Sequence, residues 1–235
     1  MKHGPSLFAL SLAAAFLPSR VIAQNQGESQ PQVEKSPQQV STLERNVAAP
    51  SRALELQVAT GYNQGVGALG SASGAHVQDV AGVGIGAELG AGYRIVPRLF
   101  IGAYGTAALF TPLASESGVK AFAGGIQAQW HFRAYRAVDP WAALGTGYRL
   151  FWESPPNESR NIHRAFDAVR FALGVDYRLN PEFAIGPMVA ANLALFSPET
   201  STSGTAISTF LSVGVAARFD MFGQPVHPVL DTASR

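Results

Sequence analysis

The residue types that could carry out hydrolysis lie together in one stretch. Ser154, Glu158, Ser159 and His163 bring a hydroxyl, a carboxylate and an imidazole close together in the chain. Such a set can serve as nucleophile, orienting group and base. These types are also ordinary in polar loops, and no G-x-S-x-G elbow holds either serine on a strand-to-helix turn. The stretch therefore reads as a loop without catalysis, and the chain as a non-enzyme. His131 stands among Gln127, Gln129 and Arg133, a setting for a hydrogen-bonded histidine rather than a metal ligand. Gly82, Gly84, Gly86, Gly90 and Gly92 do not fit the dinucleotide fingerprint and precede no helix. Asn157-Glu158-Ser159 matches a glycosylation sequon by chance. With no cysteine, disulfides, thiolate metal sites and a lipidated N-terminal Cys are excluded. Neither metal nor cofactor is expected.

A larger polar set is spread along the chain. Glu55, Gln57, Glu88, Arg94, Gln127, Gln129, His131, Arg133, Arg149, Glu153, Arg170, Asp176, Arg178, Arg218 and Asp220 recur inside apolar segments, mostly at alternate positions. Alternation with period two is the pattern of strands with one apolar face. Eight such segments run over 54–63, 80–95, 98–110, 119–135, 140–153, 165–179, 183–196 and 207–222. In the first, Leu54, Leu56, Val58 and Tyr62 oppose Glu55, Gln57, Gly61 and Asn63. In the eighth, Leu211, Val213, Val215, Phe219 and Met221 oppose Ser212, Gly214, Arg218 and Asp220. The second and sixth alternate as cleanly. The third is ambiguous: Phe100, Tyr104 and Phe110 share the face opposite Leu99, Ile101 and Leu109.

The connections alternate too. Three are tight and carry proline, around Val96-Pro97, Val138-Asp139-Pro140 and Asn180-Pro181. The other four, Gln64 to Asp79, Thr111 to Gly118, Ser154 to Arg164 and Ser197 to Ala206, are longer and polar. An up-and-down meander then places every long loop at one end and every short turn at the other, as transmembrane barrels do. An even strand count brings both termini to the turn end.

Composition settles which face meets which solvent. Charged residues are 14% of the 235-residue chain while the apolar share is 47%, and lysines number three. Soluble globular proteins usually carry about 25% charged residues. The polar face instead holds glycine and alanine, which suit the cramped inside of eight strands. Aromatics gather near strand ends: Tyr93, Trp130, Phe132, Tyr177, Phe219 and Phe222 toward the turns, Tyr62, Trp152 and Phe166 toward the loops. The expected fold is thus all-β: an eight-stranded antiparallel up-and-down transmembrane β-barrel over 51–222. Lys2 and His3, the apolar Leu7 to Leu17 and the Val21-Ile22-Ala23 site form an export signal over 1–23. Residues 24–50, rich in Gln, Ser and Pro, read as a disordered lead-in, and 223–235 as a disordered tail. The net charge of +1 speaks against nucleic acid as a partner.

The segment count, the loop asymmetry and the final Leu211–Phe222 strand resemble the OmpA/OmpX-type eight-stranded outer-membrane barrels. The resemblance covers about residues 51–222 and implies a bacterial outer-membrane location with lipid as surroundings. It also implies a terminal strand, with Phe219 and Phe222 as its aromatics, that engages the envelope assembly machinery. Many members stop at that aromatic, whereas here Gly223 to Arg235 follows.

The expected function is non-enzymatic: a structural barrel whose external loops bind an unidentified ligand or surface. A small channel and a lipid-modifying enzyme are the alternatives. Closure of the first strand on the eighth would bring Glu55 and Gln57 to Arg218 and Asp220. The interior charges should then form an ionic cluster that blocks the turn-end half, and exchanging Glu55 with Arg218 should restore the stability lost in either single change.

Overall fold

The computed structural model describes residues 45–69, 76–113, 118–154, 161–197 and 205–226. Alternating apolar side chains draw the chain into eight strands: β1 (Ala53–Gly67), β2 (Ala81–Val96), β3 (Leu99–Pro112), β4 (Gly118–His131), β5 (Val138–Ser154), β6 (Asn161–Asn180), β7 (Phe183–Phe196) and β8 (Ala206–Met221). Each pairs antiparallel with its sequence neighbour, and β8 closes on β1 from Leu54↔Met221 to Gly67↔Ser208. Closure leaves no unpaired edge, the condition for strands to sit in lipid. A short helix, α1 (Val77–Val80), follows β1 at the loop end.

The faces are inverted relative to a water-soluble barrel. Leu89 is 64% exposed and Ile126 65% on the outside, while Arg94, Arg178 and Arg218 are fully buried inside. The interior is nevertheless not only small and ionic. Phe100, Tyr104, Phe110, Trp141, Phe151, Phe196 and Phe210 all point inward. Some interior glycines exist to admit these rings. A Cβ on Gly174 would lie 2.4 Å from Trp141, and one on Gly102 would lie 2.5 Å from Phe100.

One connection and the end of the final strand differ from expectation. The segment expected to run to residue 135 ends at His131, and the β4–β5 turn occupies Phe132 to Ala137. Asp139 and Pro140 therefore belong to β5 rather than to a turn. Proline is tolerated there because Pro140 lies at the strand's start, opposite Val175 and beyond the last β4–β5 pair, His131↔Trp141. Phe222 leaves the final strand with φ of 57° and stands 90% exposed, so it is not part of the terminal ladder.

The stretch read as disordered lead-in is ordered from Arg45 onward. It crosses the turn end: Ala49 N donates to Ala134 O at 2.8 Å, and Arg45 Nη2 donates to Leu179 O at 2.6 Å. Ala137 N in turn donates to Arg45 O at 2.9 Å. The strap satisfies turn groups that have no strand partner. Ser51 pairs with Gln224, which fixes the first residues of the expected tail beside the strap. Residues 1–44 and 227–235, with the export signal and most of the lead-in and tail, lie outside the described residues.

Candidate functional site: the barrel interior

Inward-facing side chains are stacked in layers from the turn end to the loop end. Near the turns, three arginines and three carboxylates interlock. Arg94 donates to Glu55, to Asp220 at 2.9 Å and to Pro97 O at 2.9 Å. Arg218 meets Glu55 at 3.1 Å and Asp176 at 2.9 Å. Arg178 donates to Asp220 and to Pro181 O, both at 2.8 Å. The closure of β8 on β1 makes this possible, because it sets Glu55 opposite Asp220 and Gln57 opposite Arg218. Trp141 completes the layer: its Nε1 donates to Asp176 at 2.9 Å, and the Arg218 guanidinium lies 4.2 Å from its ring centre. Each of these buried ions is paired, the condition for tolerating buried charge, while Nε and Nη2 of Arg178 have no hydrogen-bond partner among the described residues. Beside this layer, His131 Nδ1 lies 2.7 Å from Asp139 and Nε2 lies 2.8 Å from Gln129.

The middle layer is built on Arg170. It reaches both oxygens of Glu88, at 2.8 and 2.7 Å, and stacks 4.4 Å from the Tyr104 ring centre. Longer contacts of 3.4 Å run to Gln127 and Asn192, and from Gln57 to Glu88. Above it, Arg149 grips Asp167 with two bonds of 3.0 and 2.8 Å and lies 4.0 Å from the Phe210 ring centre. The loop end is apolar. Phe110, Phe151, Phe196 and Phe210 pack with ring centres 6.1 to 6.3 Å apart, roofed by Leu69 and by Val77 of α1.

The outward apolar belt around a closed eight-stranded meander decides the class. The fold is that of the eight-stranded outer-membrane barrels. The chain is similar to Neisserial surface protein A, with a TM-score of 0.51 and 19% identity over 69% of this chain and 95% of that one. It is also similar to OprG from Pseudomonas aeruginosa, with a TM-score of 0.42 and 12% identity over 73% and 98%. Ail of Yersinia pestis, solved with the heparin analogue sucrose octasulfate, gives 0.41 and 16% over 71% and 99%. No family model and no curated protein matches the sequence.

Within this outer-membrane barrel fold the expected interior residues take distinct places. Glu55, Gln57, Glu88, Arg94, Gln127, Gln129, His131, Arg149, Arg170, Asp176, Arg178, Arg218 and Asp220 are buried in the layers above. Glu153 is half-buried at the loop-end rim. Arg133 is not in the interior: the strand ends two residues before it, and its side chain is exposed beside the turn. Only its backbone N–H contributes, donating to Asp139 at 2.9 Å.

Sequence reasoning missed Asp139, which it placed in a turn, and Asp167 and Asn192. Asp167 was hidden by a bulge. Gly145 and Gly147 are two positions apart on β5, while their partners Arg170 and Asp167 are three apart on β6. The extra residue shifts the inward set from even to odd numbers, so a fixed alternation cannot place Asp167 with Arg170. A carboxylate three residues before an inward arginine was the available signal.

The hydrolase-like residues do not form a site among the described residues. His163 faces inward against the rings of Phe151 and Phe196, at 6.3 and 6.4 Å between centres. Ser154 ends β5 opposite Gly118, on the outward row of Trp152, while Glu158 and Ser159 lie outside the described residues.

Proposed function

We propose that this protein is a non-enzymatic barrel of the bacterial outer membrane, closed to solutes, whose external loops present a binding surface. Export would be directed by residues 1–23, and β8 with Phe219 on its outward row would present the terminal strand to the envelope assembly machinery. One observation carries the closed reading: the lumen is obstructed at three levels, by the Arg94–Arg178–Arg218 network, by the Arg170–Glu88 pair and by the phenylalanine layer. Narrow eight-stranded barrels are filled by side chains in the same way. A purified sample in planar bilayers should give no steady conductance, whereas regular openings of the wild-type protein would overturn the proposal in favour of a channel.

A further inference from the structure

The outward face of the strands carries almost no charge. Among the described strand residues, two charged side chains point outward, and both are cations: Lys120 on β4 and Arg164 on β6. Their direction follows from their neighbours. Val119 and Ala121 are buried inside at 2% and 4% exposure, and Ala165 is fully buried, so the residues between and beside them face out. Both lie in the first four residues of strands that descend from the loop end. They flank β5, where Trp152 is the register partner of Lys120 on one side and of Ile162 on the other. Arg164 follows Ile162 by two residues on the same face. Neither cation makes a hydrogen bond or ion pair through its side chain with a described residue.

A lysine or arginine on the lipid face is costly at mid-membrane and becomes tolerable where its head reaches the interface. Tryptophan marks that level. Two cations unpaired among the described residues, on strands whose outward face carries no other charge, call for an anion supplied by the membrane itself. We infer that Lys120 and Arg164, flanking Trp152, form a binding site for the phosphate of a lipid headgroup in the outer leaflet. Lysine would meet the phosphate as a mobile point charge and arginine through its planar fork. The apolar belt below, with Phe122 at 49% and Phe166 at 52% exposure, would line the acyl chains. The inference rests on the outer-membrane reading.

The test compares the folded mature protein with a Lys120→Gln/Arg164→Gln variant by native mass spectrometry. The probes are a diphosphorylated bacterial glycolipid, its dephosphorylated form and inorganic phosphate. Folding is verified first by the shift in gel mobility on boiling; loss of that shift in the wild type would count against the barrel reading itself. At roughly fivefold per interfacial cation, the wild type should retain the phosphorylated lipid about 25-fold more strongly than the double variant. It should show no such preference for the dephosphorylated lipid, and millimolar inorganic phosphate should not displace the lipid. The turn-end arginines Arg98 and Arg133 are present in both proteins, so the difference reports the loop-end pair alone. Equal retention by both proteins, or by both lipid forms, would overturn the site. Should the double variant fail to fold, the exchanged variant Lys120→Arg/Arg164→Lys, which keeps both charges, must retain the preference, and Lys120→Gln alone must weaken it about fivefold.

Discussion

Glu55 accepts from two arginines at once, Arg94 and Arg218, and this decides how it responds to substitution. Glu55→Gln leaves both guanidiniums without their shared charge, and a buried pair broken on one side loses about 3–5 kcal/mol. The loss should appear as a lower urea midpoint of the folded protein in detergent. Exchanging Glu55 with Arg218 will not recover it, contrary to the expectation from sequence, because the new arginine at position 55 would face Arg94. Arg149 and Asp167 offer a cleaner pair, with no other ion pair to either among the described residues. There, the double exchange Arg149→Asp/Asp167→Arg should recover at least half of the stability lost in the single changes by the same measurement. A third residue, Gly174, is fixed by space. An added Cβ meets the Trp141 ring at 2.4 Å, and that ring is held by Asp176 and Arg218. Gly174→Ala should therefore cost about 1–3 kcal/mol through overpacking and perturb the tryptophan emission of the folded state.

At the scale of elements, the bulge in β6 is what gives Arg149 its partner. Ala168 has no partner in either neighbouring ladder, since the pairs run from Asp167 directly to Val169 or Arg170. Deleting Ala168 would restore strict alternation through the strand. Either Asp167 would then turn toward lipid, or the whole Arg170–Arg178 set would. The deletion should lower stability by about 3–5 kcal/mol, the cost of an unpaired buried charge, and the urea midpoint is again the readout. The strands themselves were legible because each reads polar and apolar faces locally. The bulge was not, because one inserted residue is invisible until a partner strand shows the unequal spacing. The strap formed by residues 45–50 was hidden for a related reason. Its composition predicts disorder, yet its backbone finds acceptors and donors on turns that the barrel brings within reach.

For the whole molecule, inversion of the faces is the organising physical fact. The outward belt of Ile, Leu, Val and Phe needs hydrocarbon, and the inward ions need one another. The unboiled protein should migrate differently from the boiled one on a gel and should partition with the cell envelope. A freely soluble monomer without detergent would contradict the fold's orientation. The sequence alone determined the strand count and which face of most strands is polar, since these depend on residues close together in the chain; the strict alternation of long and short connections does not hold, because the turn from Phe132 to Ala137 is as long as the connection between Ser154 and Asn161. Only the tertiary structure decided which charges pair. Glu55 and Arg218 stand 163 residues apart, and closure of the last strand on the first is what makes them neighbours. It likewise decided that large rings enter the lumen, because whether Phe100 or Ile101 faces inward depends on the glycines of the adjoining strand, which no single segment reveals.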